Sequence, residues 1–251
     1  MDNAFGSEYT SPETIEKLKI ASCATIWSIL GDSYHMKHLK PLFGDCKIVG
    51  PAATIKYTEI GSSESPDQFE QEYERFGNPI HRLFNAIQPG DIIVGAALGH
   101  VHAGIFGDCL ATAFKARGAI GLISDGSVRD SSGIRKIDIP VFTRGPATPL
   151  SSRGGGVFPI EENVTVECDG VHVRPRDIIV GDGDGIVVIP KEWVKEVAEK
   201  AEAKEKLEEL SKKLLIEGKS LSECYPNLKK EYIEQYGLVK YWKLLHANSE
   251  K

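Results

Sequence analysis

Gly104-Ile-Phe-Gly107-Asp108-Cys109-Leu110-Ala111-Thr-Ala-Phe-Lys-Ala-Arg117-Gly118-Ala119-Ile-Gly-Leu-Ile-Ser-Asp125-Gly126-Ser-Val-Arg129-Asp130 reads as a glycine turn, a helix, a glycine stop, a buried strand and a charged pair where the strand ends. Ile105, Leu110, Ala113, Phe114 and Ala116 recur at roughly helical spacing, and Gly118 suits a helix C-terminus. Ile120 to Ile123 is the short apolar run that a strand buries in an α/β sheet. The helix start at Gly107, Asp108, Cys109 and Leu110 offers backbone N–H groups with no acceptor upstream, a seat for a carboxylate. Arg129 is a planar fork for an anion, and Asp130 is a hard oxygen ligand for a divalent cation. Together these features describe a site for a small anionic substrate on a metal.

Outward from this stretch, the N-terminal side begins with Thr10-Ser11-Pro12-Glu13, a capping hydroxyl followed by proline and an acid. That start predicts one helix through Ile15, Leu18, Ala21 and Ile26 to about Leu30, ended by Gly31. Residues 41–50 read as a connection and Gly50 to Thr58 as a strand. Residues 61–78 turn polar and acidic, an insertion loop with room for one helical turn. Pro79 to Ile87 resumes helix. Pro89-Gly-Asp91-Ile-Ile-Val-Gly95 then recurs as Pro175-Arg-Asp177-Ile-Ile-Val-Gly181, in each case a Pro-x-Asp turn feeding a strand. Two copies make a shared local device, not a solenoid.

On the C-terminal side, Ile139 to Thr143 is a short strand and residues 151–156 a flexible loop. Asn163 to Cys168 is a half-buried strand turning through Asp169-Gly170 into Val171-His-Val173. Gly181-Asp-Gly-Asp-Gly185 is a second tight turn, into Ile186 to Pro190. It is followed by a strand and no Lys-Ser/Thr, so a hairpin is favoured over a nucleotide loop. Trp193, Val197, Leu207, Leu210, Leu214 and Leu215 line one side of a long charged helix to Gly218, and a last helix covers about Tyr232 to Leu245. Such an amphipathic tail is expected to pack on a neighbour, in the same or another subunit.

With 251 residues, 41 % of them apolar and 26 % charged, the chain is long enough to bury a full core and has an ordinary globular mix. A net charge of −6 argues against a general nucleic-acid binder, which wants a basic face. It leaves an anionic substrate open, because a metal and one arginine can reverse the local field. The longest apolar stretch, Ile92 to Leu98, is far too short to span a bilayer. No basic region followed by an apolar run opens the chain, so no secretory leader is expected. The five scattered cysteines form no C-x-x-C pair and read as reduced thiols in a cytoplasmic protein.

Other candidates have plainer readings. His100-Val-His102 could place two imidazoles on one side of a strand for zinc, but a third ligand is missing nearby. Cys109 could be a reactive thiol at a helix start; with no partner histidine in view, a small buried filler is favoured. Arg-Asp as a dipeptide carries nothing alone, since Arg176-Asp177 repeats it in a turn. The setting of Arg129-Asp130, after Asp125-Gly126 at the end of a buried strand, is what raises it.

Gly107-Asp-Cys-Leu-Ala-Thr-Ala-Phe-Lys-Ala-Arg-Gly118, continuing to Asp125-Gly-Ser-Val-Arg-Asp130, resembles the RraA-like family. More narrowly, the chain is similar to its class II 4-hydroxy-4-methyl-2-oxoglutarate / 4-carboxy-4-hydroxy-2-oxoadipate aldolase branch. Gly50-Pro51-Ala52, Pro89-Gly90-Asp91, Arg174-Pro175-Arg-Asp177 and Asp184-Gly185 support the likeness. The resemblance implies a swivelling ββα-type layered α/β fold, over residues 1–190, with an N-terminal helix and an extended C-terminal helical tail, residues 191–251, on a neighbouring subunit. It implies homotrimers or homohexamers, a divalent cation (Mg²⁺ or Mn²⁺), and cleavage of a 4-hydroxy-2-oxo acid to pyruvate and a second oxo acid. Oxaloacetate decarboxylation is the expected side activity. Carried over by position, Asp130 is the metal ligand, Arg129 the partner of the keto oxygen, and the Gly107 to Leu110 amides the seat of the pyruvyl carboxylate. Asp108 would hold metal-bound water. Glu208 matches a glutamate supplied by the adjacent subunit, with Glu205 and Glu209 as alternatives. Two departures stand out: Gly133 occupies a position where the family often has an acid, and the loop at 61–78 is long. The alternative is the family's non-enzymatic branch, which regulates a ribonuclease.

Overall fold

The computed structural model describes residues 11–59, 66–151 and 156–247. In chain order the elements begin with helices α1 (Pro12–Ile20) and α2 (Cys23–Leu30), then strands β1 (His35–Met36), β2 (Lys40–Pro41) and β3 (Ile48–Glu59). Helices α3 (Pro66–Phe76) and α4 (Pro79–Ala86) precede β4 (Ile92–Ala96), β5 (Gly104–Phe106) and α5 (Asp108–Ala116). Next come β6 (Gly121–Ser124), β7 (Ser127–Val128), α6 (Ser131–Ile137), β8 (Val141–Thr143) and β9 (Val157–Glu162). The chain continues through β10 (Val166–Cys168), β11 (Val171–Val173), β12 (Ile178–Asp182) and β13 (Gly185–Ile189) to helices α7 (Val194–Ile216), α8 (Leu221–Cys224), α9 (Lys230–Gln235) and α10 (Val239–His246). The fold class is the expected one, a mixed α/β architecture with a helical tail.

The twelve-residue β3 organises the main sheet, whose order is β1-β13-β12-β3-β4-β6-β8-β2. One side of β3 pairs parallel with β4 from Ala52 to Lys56. On its other side two strands lie end to end, β12 on Ile48 to Pro51 and β9 on Ile55 to Glu59, both antiparallel. The two Pro-x-Asp strands, β4 and β12, therefore flank β3. Each turn is closed the same way: Asp91 Oδ2 accepts from the Gln88 amide and Asp177 Oδ2 from the Arg174 amide, both at 2.9 Å. An ion pair from Arg176 to the buried Asp91 ties one turn to the other.

Alternation along the strands sorts side chains into separate layers, as a period of two requires. In β4, Ile93 faces a cluster with Phe106, Phe114, Ile134 and Leu83, under α4, α5 and α6. Its neighbours Ile92 and Val94 face a second cluster roofed by the β10–β11 hairpin. A third cluster joins Ile15, Leu18 and Ile26 of α1 and α2 to Val197 and Ala201 of α7, over Val180 and Val187. The first half of α7 thus belongs to the core of its own chain.

Three sequence expectations change. The single N-terminal helix is two, because Ala21 is extended and Ser22 caps α2, its hydroxyl accepting from the Thr25 amide. The stretch at 61–78 is not a loop over its described part: Pro66–Phe76 is a three-turn helix. It is held by Phe69 stacked on Phe158 (ring centroids 4.5 Å apart) and by Tyr73 Oη donating to the Pro159 carbonyl. The last helix is also two, α9 and α10, parted at Gly237, whose φ of 70° leaves the helical region. Residues 152–155 of the glycine loop, and 60–65, lie outside the described residues.

Candidate active site

Strands β5 and β7 leave the main sheet just past the carboxyl ends of β4 and β6 and pair with each other in parallel, Gly104 opposite Ser127 and Phe106 opposite Val128. In open α/β sheets that end of the strands is where ligands bind. The pairing sets the chain at Gly107 alongside the chain at Arg129, whose amide donates to the Phe106 carbonyl at 2.8 Å. Helix α5 then starts at Asp108 and helix α6 at Ser131, side by side. Two segments more than twenty residues apart in sequence share one corner.

Asp130 initiates α6 from a left-handed conformation (φ 56°, ψ 38°), which aspartate tolerates better than most side chains. Its carbonyl accepts from the Gly133 amide (2.8 Å) and the Ile134 amide (3.0 Å), while its Oδ2 accepts from Arg129 Nε at 2.8 Å. Arg129 and Asp130 have side chains 33 % and 39 % exposed, so the pair is open to a ligand. An ion pair this accessible contributes little to stability, of the order of 1 kcal/mol or less. Arg129 is committed through Nε alone, and its two Nη groups have no hydrogen-bond partner among the described residues.

An open cleft of about 620 Å³ is lined by Asp108 and Asp130, with Ser131, Ser132, Gly133 and Lys136 of α6 and the loop Pro146-Ala147-Thr148. The structure thus brings Asp108, Arg129 and Asp130 together at the start of α5. Of the other residues expected there, Gly107 packs directly against Asp130: a Cβ at Gly107 would stand 2.8 Å from Asp130 Oδ2. Leu110 turns toward the core against the Phe114 cluster, leaving its amide as its only contribution to the helix start. Cys109 is exposed, not the buried filler expected. Lys136, Ser132 and Thr148 were missed. Lys136 follows Gly133 by three residues, hence on the same helix face, a signal visible once α6 is recognised.

Glu208 does not line this cleft within the chain. It borders another cavity, of about 480 Å³, between α2, α7 and the tail, together with Lys200, Lys204, Leu207 and Trp242. Glu205, one of the alternatives, is occupied: its Oε1 accepts from Thr25 Oγ1 at 2.6 Å and from the Ser22 amide at 3.2 Å, closing the start of α2. Glu209 lies in a shallow groove beside Tyr236 and Leu238. His100 and His102 sit in a loop, not a strand; their rings meet edge to face, and His100 Nδ1 pairs with Glu59 at 3.2 Å.

Asp125 is buried below the site and structural. Its Oδ1 accepts from the Ala97 amide at 2.6 Å and its Oδ2 from the Gly99 amide at 3.2 Å. Burial pushes its carboxyl above the ordinary range, against the pull of those amides, the Asp169 amide and Arg144. It fixes the loop after β4 and so the approach to β5.

The sequence model of the family described as RraA-like (Aldolase/RraA) matches residues 22–188, the site included and the tail not. A protein of Halalkalibacterium halodurans named "Putative 4-hydroxy-4-methyl-2-oxoglutarate aldolase" is 35 % identical over 167 residues, 66 % of this chain and 71 % of that one. Among solved structures, RraAS2 of Streptomyces coelicolor, described as an unusual member of the RNase ES inhibitor RraA protein family, superposes with a TM-score of 0.71 at 28 % identity. The match covers 82 % of this chain and 98 % of that one. An uncharacterized protein of Pseudomonas syringae pv. tomato, 22 % identical, shares the fold at a TM-score of 0.70 over 85 % of this chain and 97 % of its own.

Proposed function

Because the chain belongs to the RraA-like family, we propose that it is a divalent-cation-dependent lyase, cleaving a 4-hydroxy-2-oxo acid or diacid to pyruvate and a second oxo acid. The observation that carries this reading is the meeting of Asp108, Asp130 and the Arg129 guanidinium at the start of α5. The relative named as an aldolase supports it.

The donor set fits a small hard cation. Two carboxylates line one cleft, and Asp130 Oδ2 rests in the space that a side chain at Gly107 would fill. Among the described residues no three of His, Cys, Asp and Glu close into a cage. Few protein ligands and several open positions suit Mg²⁺ or Mn²⁺, which keep water and substrate oxygens in their shell. Asp130 would hold the ion, whose contribution is Lewis-acid polarisation of the 2-oxo group.

The chain's own groups account for the rest. The opening amides of α5 receive the substrate's carboxylate. The free Nη groups of Arg129 donate to the keto oxygen as negative charge gathers on it, a fixed donor at the place where charge develops. Asp108 takes up the C4 hydroxyl proton through a water. The C3–C4 bond then breaks, C4 becomes the carbonyl of the second oxo acid, and C3 of the pyruvate enolate is reprotonated. Loss of CO₂ from oxaloacetate gives the same enolate, so slow decarboxylation belongs to the same site. Glu208, remote from the cleft in its own chain, would serve the site of a neighbouring copy in a trimer or hexamer.

A second reading, a non-enzymatic regulator that binds a ribonuclease, is favoured by the likeness to RraAS2. Pyruvate release from oxaloacetate and from 4-hydroxy-2-oxoglutarate, with Mg²⁺ and with EDTA, separates the two. The lyase releases pyruvate only with the cation. A protein that releases none from either acid, or is indifferent to chelator, is not the enzyme described.

A further inference from the structure

Gly107 and Gly133 stand where neither backbone requires glycine. Gly107 has φ −121°, open to any residue. Gly133 lies inside α6, where alanine would be favoured by roughly 0.5–1 kcal/mol. What singles them out is what their missing side chains leave room for. A Cβ at Gly107 would approach Asp130 Oδ2 to 2.8 Å and Arg129 Cγ to 3.2 Å. A Cβ at Gly133 would approach Asp108 Cβ to 2.8 Å and Asp108 Cγ to 3.0 Å, with a carboxylate oxygen closer still. The arrangement is reciprocal: the start of α5 supplies a glycine and an acid, the start of α6 an acid and a glycine, and each acid rests on the other helix's glycine.

We propose that Gly107 and Gly133 are positioning residues, paired seats that fix the carboxylates of Asp130 and Asp108 on the wall of the cleft for a divalent cation. The proposal rests on the cation site of the reading above, not on its reaction. A side chain at either glycine must displace the acid of the opposite helix, because the nearest atoms it would meet belong to the short side chain of Asp130 in one case and of Asp108 in the other. Gly133, which departs from the family's acid at that place, is then a necessity here: Asp108 occupies the volume.

The test is Mn²⁺ binding, read from the paramagnetic resonance of the free ion, with thermal melting as the check on folding. Parent, Gly107→Ala, Gly133→Ala, Asp108→Gly and Asp108→Gly/Gly133→Ala are compared. Each alanine variant should bind Mn²⁺ at least tenfold more weakly than the parent. In the Asp108→Gly background, where both the Cβ and the carboxylate are gone, Gly133→Ala should add less than a twofold loss. A glycine needed only for helix packing would instead cost its full factor in both backgrounds. Should Gly133→Ala not fold, the double variant should, and its failure to fold overturns the proposal. So does parental Mn²⁺ affinity in both alanine variants, or no Mn²⁺ binding by the parent. A parent that binds Mn²⁺ yet releases no pyruvate removes the lyase reading and leaves the seats standing.

Discussion

Arg129 and Asp130 do different work through one hydrogen bond. Arg129 gives Nε to Asp130, and its Nη groups have no partner among the described residues, so charge is balanced without the guanidinium being used up. Arg129→Ala should lower turnover about 10²-fold or more, the scale of losing one donor to a developing oxyanion, measured as kcat for pyruvate release under saturating Mg²⁺. Turnover at the parent rate would remove Arg129 from the site. At this scale the sequence brought forward segments that the structure places side by side, Arg129-Asp130 and the start of α5. It was silent on Lys136, Ser132 and Thr148, because their membership of the cleft depends on α6 turning one face toward the 146–148 loop. It misread Cys109 as buried, since its exposure is set by the rotation of α5 about Phe114, and a short helix whose large apolar side chains are only Leu110 and Phe114 leaves that rotation loosely specified.

Among the elements, the joint between α2 and the β12–β13 hairpin shows how far polar contacts can be predicted. Asp182 ends β12, accepts from the Cys23 amide at 2.7 Å and the Asp184 amide at 3.0 Å, and faces Lys47 at 3.4 Å. Burial alone would raise its carboxyl, but those amides and the lysine outweigh it and hold it below the ordinary value. A folded pKa depressed below the unfolded value, about 3.9, contributes stability that is full above that value and fades as pH falls through the folded one. Asp182→Ala should therefore be less stable than the parent at pH 7, by about 1.5–3 kcal/mol for bonds to a charged group. Urea melts should show the gap closing below about pH 4, and a gap independent of pH would show that the carboxylate's charge is not what matters. The hairpin itself was legible from Gly181 to Gly185, as were α4 and β6, each marked by local turn or cap chemistry. The break at Ser22 was not: Ala21 and Ser22 sit in an otherwise continuous helical pattern. Besides the Ser22 cap, the joint is held by Asp182 on the Cys23 amide and by Glu205, 183 residues from Ser22 along the chain, and no local rule reaches that far.

Over the whole molecule, the proposed service of Glu208 to another copy's cleft would make activity a property of the assembly. Arg129→Ala and Glu208→Gln, each weakened alone, should recover activity when unfolded and refolded together, because mixed oligomers contain some sites with both residues intact. Recovery absent from oligomers shown to be mixed would assign Glu208 to its own chain's groove. The strand–helix alternation of the central stretch and the family resemblance gave the α/β class correctly, and the Pro-x-Asp echo correctly marked two strand starts. That these strands would flank β3, one parallel and one antiparallel, was out of reach, since strand order is decided by crossovers and not by local pattern.

The Glu205 contact joins two segments 183 residues apart. By holding the Ser22 amide and the Thr25 hydroxyl, a residue in the last quarter of the sequence sets where the second helix begins, and Lys17 reaches across to Glu202 beside it at 3.2 Å. Folding therefore couples the opening helices to α7: a chain cut before Val194 would leave Val180 and Val187 without the cover that Val197 and Ala201 give.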